Sequence, residues 1–226
     1  MTESIHTLVI GGGQAGVATS AHLQKQGIPH LVLERDRIAE RWRTWRWDSL
    51  VANGPAWHDR FPDAEFTDID PEAFAPKEAV ADYFERFAGD RNLPVRTGVE
   101  VTKLERIGDT FRATTATGKI EAQNVVVATG PFQKPVIPTV ITDPAITQMH
   151  SNSYRNPDAL PDGAVLVVGA GSSGAQIAEE LVRAGRKVYL SLGPHDRPPR
   201  RYRRQDFVWW LGQLGKWDMK APTPGP

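Results

Sequence analysis

The chain of 226 residues contains no cysteine. That absence excludes disulfide staples, thiolate metal sites and any dithiol relay within these residues, because each needs paired or clustered thiols. Net charge is absent as well, with 27 Lys and Arg against 27 Asp and Glu. Composition therefore argues for neither a nucleic-acid partner nor an anionic membrane surface. No apolar run approaches the roughly 18 residues that cross a bilayer. The opening Met1-Thr2-Glu3-Ser4-Ile5-His6 has no signal-peptide character. A cytoplasmic protein without membrane contact is the expectation. The hydrophobic share of 40% and charged share of 24% are those of a globular protein, long enough for one large domain or two small ones.

What the chain does have is glycine in a particular place. Gly11-Gly12-Gly13-Gln14-Ala15-Gly16 follows the apolar run Thr7-Leu8-Val9-Ile10 and opens a helical stretch reaching Gln26. Strand, glycines, helix is the order that a dinucleotide pyrophosphate requires. Gly11 permits the tight turn, Gly13 lets the backbone approach the phosphates, and Gly16 lets helix and strand pack closely. The free N–H groups and the dipole of the helix start then face the anion. The helix carries Val17, Ala18, Ala21 and Leu23 on its apolar side and ends at Gly27. A second strand, His30-Leu31-Val32-Leu33, leads to Glu34, about 20 residues beyond the glycines, where a carboxylate accepts hydrogen bonds from an unphosphorylated ribose. The plainer alternative for Glu34 is a solvated acid at a strand end.

Arg41-Trp42-Arg43-Thr44-Trp45-Arg46-Trp47 interleaves cations with indoles. Such a stretch can stack on bases and neutralise phosphates, or wrap a bound cofactor with its arginines on the pyrophosphate. The neutral charge and the dinucleotide motif upstream favour the second use. Residues 77–91 predict an amphipathic helix with Val80, Tyr83, Phe84 and Phe87 as core, and Pro76 suits its start. Val99–Leu104, Thr110–Thr115 and Lys119–Ala122 predict a small antiparallel meander inserted in an α/β domain. Asn124 to Val127 predicts another buried strand, ending at Ala128-Thr129-Gly130. The prolines 131, 135, 138 and 144 then mark a linker.

The glycine motif returns about 160 residues on, as Gly169-Ala170-Gly171-Ser172-Ser173-Gly174. It follows Ala164-Val165-Leu166-Val167-Val168 and precedes a helix with Ile177, Ala178, Leu181 and Val182 facing inward, closed by Gly185. Two copies point to two nucleotides on one polypeptide. In the second copy the following strand ends in Ser191 rather than an acid, and Arg197, Arg200, Arg201, Arg203 and Arg204 come after it. Serine and arginines can hold a 2′-phosphate that an acid would repel, so NADP(H) is expected over NAD(H). The alternatives are a solvated basic stretch or a phosphate-backbone patch for nucleic acid.

With these residues in view, the chain from about Ile5 onward resembles the N-terminal half of the flavin-containing monooxygenases, within the flavoproteins with two dinucleotide-binding domains. The resemblance implies FAD on the first glycine motif and NADPH on the second. It implies an FAD-binding domain over residues 1–140 with the meander inserted, and a Rossmann-like NADPH-binding domain over 141–226. Both lack pieces that family members supply further along, so the sequence is expected to be truncated relative to them. Candidate FAD contacts are Gly11, Gly13, Gln14, Ala15, Gly16, Glu34, Arg35, Trp42, Val101, Ala128, Thr129 and Gly130. Candidate NADPH contacts are Gly169, Gly171, Ser172, Ser173, Gly174, Ser191, Arg197 and Arg200. His150-Ser151-Asn152-Ser153-Tyr154-Arg155 resembles the end of the family fingerprint, with Pro144 and Ile146 where its Phe and Gly would stand. That makes His150 a residue of the domain seam rather than a catalytic base. Tyr154 fills a position that is usually Trp in the related Baeyer–Villiger enzymes. Asn53 resembles an asparagine that faces the flavin in some members; a turn residue before Gly54-Pro55 is the alternative.

The implied activity is oxygenation of a soft nitrogen or sulfur nucleophile on a small molecule, with dioxygen, through a flavin C4a-hydroperoxide. The protein would supply position, electrostatics and exclusion of water. A flavin reductase or oxidase using NADPH, and a non-catalytic nucleotide- or nucleic-acid-binding module, are the rival readings. Disulfide reductases share the twin motifs but need a cysteine pair.

Overall fold

The computed structural model describes residues 2–194, 198–217 and 219–220. Its first strand, β1 (Thr2–Ile10), starts five residues earlier than its apolar run. Only Thr7–Ile10 has a strand on each side, which is why Thr7, Leu8 and Val9 are buried and the first residues are not. The glycine loop leads into α1 (Gln14–Lys25), and Gly27, at φ +68°, closes it by donating to the Gln24 carbonyl at 2.9 Å. β2 (His30–Leu33) is buried throughout and pairs parallel with β1. A short helix α2 (Glu40–Thr44) occupies part of the Arg/Trp stretch.

Helix α3 (Lys77–Asp90) buries Val80, Tyr83, Phe84 and Phe87 as its spacing predicts, together with Val17 of α1, Phe61 and Ala75. The Tyr83 hydroxyl accepts from the Phe61 N–H at 2.8 Å and donates to the Ala64 carbonyl at 3.1 Å. Burial raises the phenol's pKa, so it stays protonated and keeps this loop tied to α3.

After α3 come β3 (Val95–Arg96), β4 (Val101–Ile107), β5 (Thr110–Thr115) and β6 (Gly118–Val127). The sheet order is β3-β2-β1-β6-β5-β4, parallel from β3 to β6 and antiparallel beyond. The third meander strand and the strand expected at Asn124–Val127 are one element. With no glycine or proline between Ala122 and Asn124, the chain continues straight, so the inserted meander shares a strand with the main sheet and extends it. The expected burial of that strand's end does not hold: Val127 is 64% exposed. β5 pairs no further than Ala122, so residues 124–127 have β1 on one side and no strand on the other among the described residues.

Residues 131–149 are irregular and mostly exposed, in keeping with their prolines. A second parallel pair follows, β7 (Val165–Val168) and β8 (Val188–Ser191), crossed over by α4 (Ser172–Arg183). Ile177 and Leu181 of α4 pack with Trp47, Leu50 and Tyr154, joining this unit to the Arg/Trp stretch. Val182 does not face inward as expected. It is 60% exposed, because it follows Leu181 by about 100° around the helix. A tight hairpin, β9 (Arg201–Tyr202) and β10 (Gln205–Asp206), turns through Arg203 and Arg204 at φ +48° and +67°. It feeds α5 (Phe207–Gln213), capped by Asp206. Among the described residues no helix is long and apolar enough to cross a membrane.

Candidate functional site

The ends of β1 and β2 and the loop between them border a cleft of about 630 Å3, within the ~300–1,000 Å3 of small-molecule sites. Each glycine of the loop meets a different demand. Gly11 turns at φ +113°, where a Cβ would lie 2.5 Å from the Ala128 carbonyl oxygen. A Cβ on Gly16 would lie 1.8 Å from the Gly11 carbonyl oxygen, so only glycine lets α1 approach β1 this closely. A Cβ on Gly13 would meet nothing within 4 Å; it lines the cleft with open space before it. Gly13 is also the N-cap of α1 and provides no side-chain cap, so N–H groups of the first turn remain available.

Gly12, to which the spacing assigns no role, is where Glu34 crosses. A Cβ there would lie 2.9 Å from the Glu34 Cβ. The Gly12 N–H donates to Glu34 Oε2 at 2.5 Å and the Asp36 N–H to Oε1 at 2.9 Å. The carboxylate is thus held at the cleft wall by backbone, and each oxygen keeps a second lone pair for a ligand hydroxyl. Gln14, Ala15, Arg35, Trp42, Val101, Ala128, Thr129 and Gly130 all line the same cleft. The structure therefore brings together every candidate contact of the first motif, with Gly16 directly behind the wall.

The Arg/Trp stretch divides its cations. Arg43 pairs with Asp82 and Glu85 of α3, at 3.0 and 2.8 Å. Arg41 donates to the Phe132 carbonyl and, at 2.8 Å, to Gln133 Oε1, while its guanidinium lies 4.3 Å from the Trp45 ring centre. Gln133 in turn donates to the Thr129 carbonyl, fastening the far wall. Arg46 lines the cleft half-buried, and its Nε has no hydrogen-bond partner. Among the described residues no carboxylate pairs with it. Burial first, then the neighbouring Arg41, lowers its pKa; burial first also lowers that of Arg41. Arg41 has Glu34 and Asp36 within electrostatic reach, whereas Arg46 has no carboxylate acting on it among the described residues, and a pyrophosphate is the kind of group that would supply an anion. Trp47 is buried in the seam. Of the rest of the stretch, Thr44 is exposed and the other residues are half-buried.

The second loop repeats the first loop's construction. A Cβ on Gly174 would lie 1.9 Å from the Gly169 carbonyl oxygen, Gly169 sits at φ +99°, and a Cβ on Gly171 would meet nothing within 4 Å. Ser172 and Ser173 begin α4 beyond the N-cap Gly171. The register corrects one assignment. Gly169 donates to the Ser191 carbonyl as Gly11 donates to that of Leu33, both at 2.8 Å. Ser191 is therefore the counterpart of Leu33, and exposed Leu192 stands where Glu34 stands in the first copy. No acid occupies the position, but a leucine does, not a serine.

Arg200 also departs from expectation. Its Nε donates to buried Asp206 at 2.7 Å, and its guanidinium lies 4.6 Å from Phe74 and 5.1 Å from Phe207. A buried carboxylate capping α5 holds it against the loop before α3, so it is a structural contact rather than part of the second glycine loop. Arg197 lies outside the described residues. Asn53 is exposed and is not in the wall of the cleft; its Oδ1 accepts from Gln176 of α4 at 3.2 Å. His150 bonds Asn152 within its own turn. Tyr154 is buried in the seam and donates to Glu180 at 2.7 Å. Burial, then that hydrogen bond, pushes its pKa well above the phenol range.

The profile of the pyridine nucleotide-disulphide oxidoreductases matches residues 8–211. The chain belongs to this family. An uncharacterized CzcO-like oxidoreductase of Geobacillus kaustophilus is 40% identical over 219 residues, covering 95% of this chain and 62% of that protein. Arabidopsis thaliana YUCCA4, a probable indole-3-pyruvate monooxygenase, is 29% identical over 184 residues, covering 78% of this chain and 44% of YUCCA4. A mutant flavin monooxygenase of Stenotrophomonas maltophilia superposes with a TM-score of 0.79 at 23% identity, over 95% of this chain and 64% of that one, which shows a shared fold. The chain spans about 62% of the length of its CzcO-like relative.

Gly12, Arg46 and Gln133 also shape the cleft and are not among the contacts expected from the sequence. Gly12 and Gln133 carry no signal without the fold. Arg46 has one, since it belongs to the cation-rich stretch whose arginines are expected on the pyrophosphate.

Proposed function

We propose that the chain holds FAD in the 630 Å3 cleft and NADPH on the second glycine loop. Residues 1–140 would form the FAD part and 141–226 would contribute to the NADPH part. The protein's activity, in this reading, is monooxygenation of a soft nitrogen or sulfur atom on a small molecule with dioxygen. One comparison carries it. The two loops are built to the same dimensions, 1.8 and 1.9 Å at the close-approach glycines, and differ at the ribose position, Glu34 against Leu192.

The residues present fit the groups proposed. The first turn of α1 presents N–H groups to the FAD pyrophosphate, Gly13 gives it room, and Arg46 and Arg41 neutralise it. Glu34 accepts from the adenosine ribose. At the second loop Ser172 and Ser173 open α4 beside the NADPH pyrophosphate, and the missing acid leaves a 2′-phosphate unrepelled. FAD supplies transfer of two electrons from the nicotinamide toward dioxygen. The chain binds, orients and shields.

Titration of the purified chain with FAD, followed by flavin fluorescence, tests the first site. Saturable quenching is expected, with Glu34→Ala weakening it by about tenfold or more, the value of one lost hydrogen bond to a charged group. Competition between NADPH and NADH, read by nicotinamide fluorescence, tests the second. Unquenched flavin at saturating FAD would contradict the reading.

A further inference from the structure

We propose that the basic tip of the β9–β10 hairpin and the acidic run before α3 form one self-complementary surface, on which a second copy of this chain docks about a two-fold axis. This surface is independent of the two nucleotide sites described above.

The cations and acids of the chain balance in number but are not spread evenly. Between Arg60 and Lys77 stand Asp63, Glu65, Asp68, Asp70 and Glu72, all exposed, and no cation. Lys25, Arg60 and Arg86 answer the first three. The Asp70 carboxylate accepts the Glu72 N–H at 2.8 Å, and among the described residues no cation pairs with Asp70 or Glu72. The hairpin has the opposite surplus. Arg201, Arg203 and Arg204 are exposed, and no carboxylate pairs with them among the described residues. The two-residue turn holds Arg203 and Arg204 at φ +48° and +67°, a conformation that favours Asn-Gly. Two arginines oppose the preference of that turn, and what they add is a pair of adjacent cations at an exposed tip.

The two patches are neighbours. The base of the hairpin is pinned to the end of the acidic run, with the Arg200 guanidinium 4.6 Å from the ring centre of Phe74, two residues past Glu72. Beyond α5, Trp217 stacks on His58 at 4.9 Å between ring centres, a second tie between the same segments. Within one chain no ion pair joins the two patches among the described residues. Opposite charges lying beside each other match a second copy turned about a two-fold axis, because each tip then meets the other copy's acids. A partner of one sign would be attracted by one patch and repelled by the other. Exposed Tyr202, Leu214 and Trp217, from the hairpin and the chain beyond α5, supply apolar surface to such a contact.

The test is analytical ultracentrifugation of the chain over a concentration series in about 50 mM and about 500 mM NaCl. A monomer–dimer equilibrium is expected, at least about tenfold weaker in the higher salt. Arg203→Glu with Arg204→Glu, and separately Asp70→Lys with Glu72→Lys, should each leave monomers. An equimolar mixture of these two variants should restore the dimer to within about threefold of the wild-type Kd, since both of its contacts are then attractive. A wild type that is monomeric at every soluble concentration, dimers that persist in both variants, or a mixture that stays monomeric would each overturn the proposal. So would a monomer that sediments with phosphatidylglycerol vesicles, which would assign the tip to an anionic lipid surface. If the variant of Asp70 and Glu72 does not fold, Arg203→Asn with Arg204→Gly decides. In the higher salt its Tm should exceed that of the wild type, while in the lower salt its dimer should be at least about tenfold weaker. An unchanged dimer there would overturn the proposal.

Discussion

Replacing Gly16 and Gly13 separately by alanine asks the first loop which of its clearances serves the fold and which serves a ligand. At Gly16 the new Cβ would sit 1.8 Å from the Gly11 carbonyl oxygen and 3.0 Å from the carbonyl carbon. Both are backbone atoms in a turn pinned by the Gly11–Leu33 hydrogen bond of 2.8 Å, so no side chain can swing away. Relief requires α1 to lift from β1 by more than 1 Å, which is an overpacking cost of about 3 kcal/mol, at the upper end for such insertions. The helix-propensity gain of Gly to Ala returns about 1 kcal/mol. A net loss of about 2 kcal/mol is expected, or about 4–8 °C in Tm for a chain of this size. At Gly13 the Cβ meets nothing within 4 Å and φ is −84°. Gly13→Ala should therefore keep Tm within a few degrees yet weaken FAD by at least about tenfold, since the methyl would occupy the space that the proposed function gives to a phosphate. Calorimetry and flavin-fluorescence titration on the two variants read both numbers. A Gly13→Ala chain that binds FAD like the wild type would refute the assignment of that space, and a Gly16→Ala chain of wild-type Tm would refute the packing argument.

Arg46→Ala should weaken FAD by about tenfold or more without lowering Tm, because it removes a half-buried cation that lacks a carboxylate partner; fluorescence titration and calorimetry together check it. Arg200→Gln should do the reverse, lowering Tm by leaving Asp206 without its cation and changing NADPH affinity by less than about threefold. Tyr154 has a folded pKa raised above its unfolded value of about 10, so the stability it contributes is complete below pH 10 and is lost as pH rises beyond it. Urea unfolding at pH 8 and above pH 10 should show a smaller alkaline loss in Tyr154→Phe than in the wild type, and an equal loss would contradict the assigned direction.

Features enforced by backbone geometry were legible in the sequence. The positions of Gly11 and Gly16 follow from a turn and a close approach that no other residue permits, and Gly169 and Gly174 obey the same limits, while Gly13 and Gly171 have open space before them. The aromatic face of α3 was legible because helical spacing and burial are one fact read twice. Contacts between distant segments were not. Nothing near Arg200 announces that Asp206 returns through a hairpin to hold it, and the position matching Glu34 depends on which carbonyl Gly169 bonds, so serine and leucine exchange places by one residue. The run Asn124–Val127 has a buried strand's composition, but burial requires neighbours on both sides, and β5 stops at Ala122.

The central claim, two nucleotides in electronic contact on this chain, is tested most directly by the visible spectrum of the FAD-loaded protein before and after NADPH is added without oxygen. The account predicts that the flavin band bleaches with NADPH and does so more slowly with NADH. A flavin band that binds but stays unchanged with both nicotinamides would contradict it.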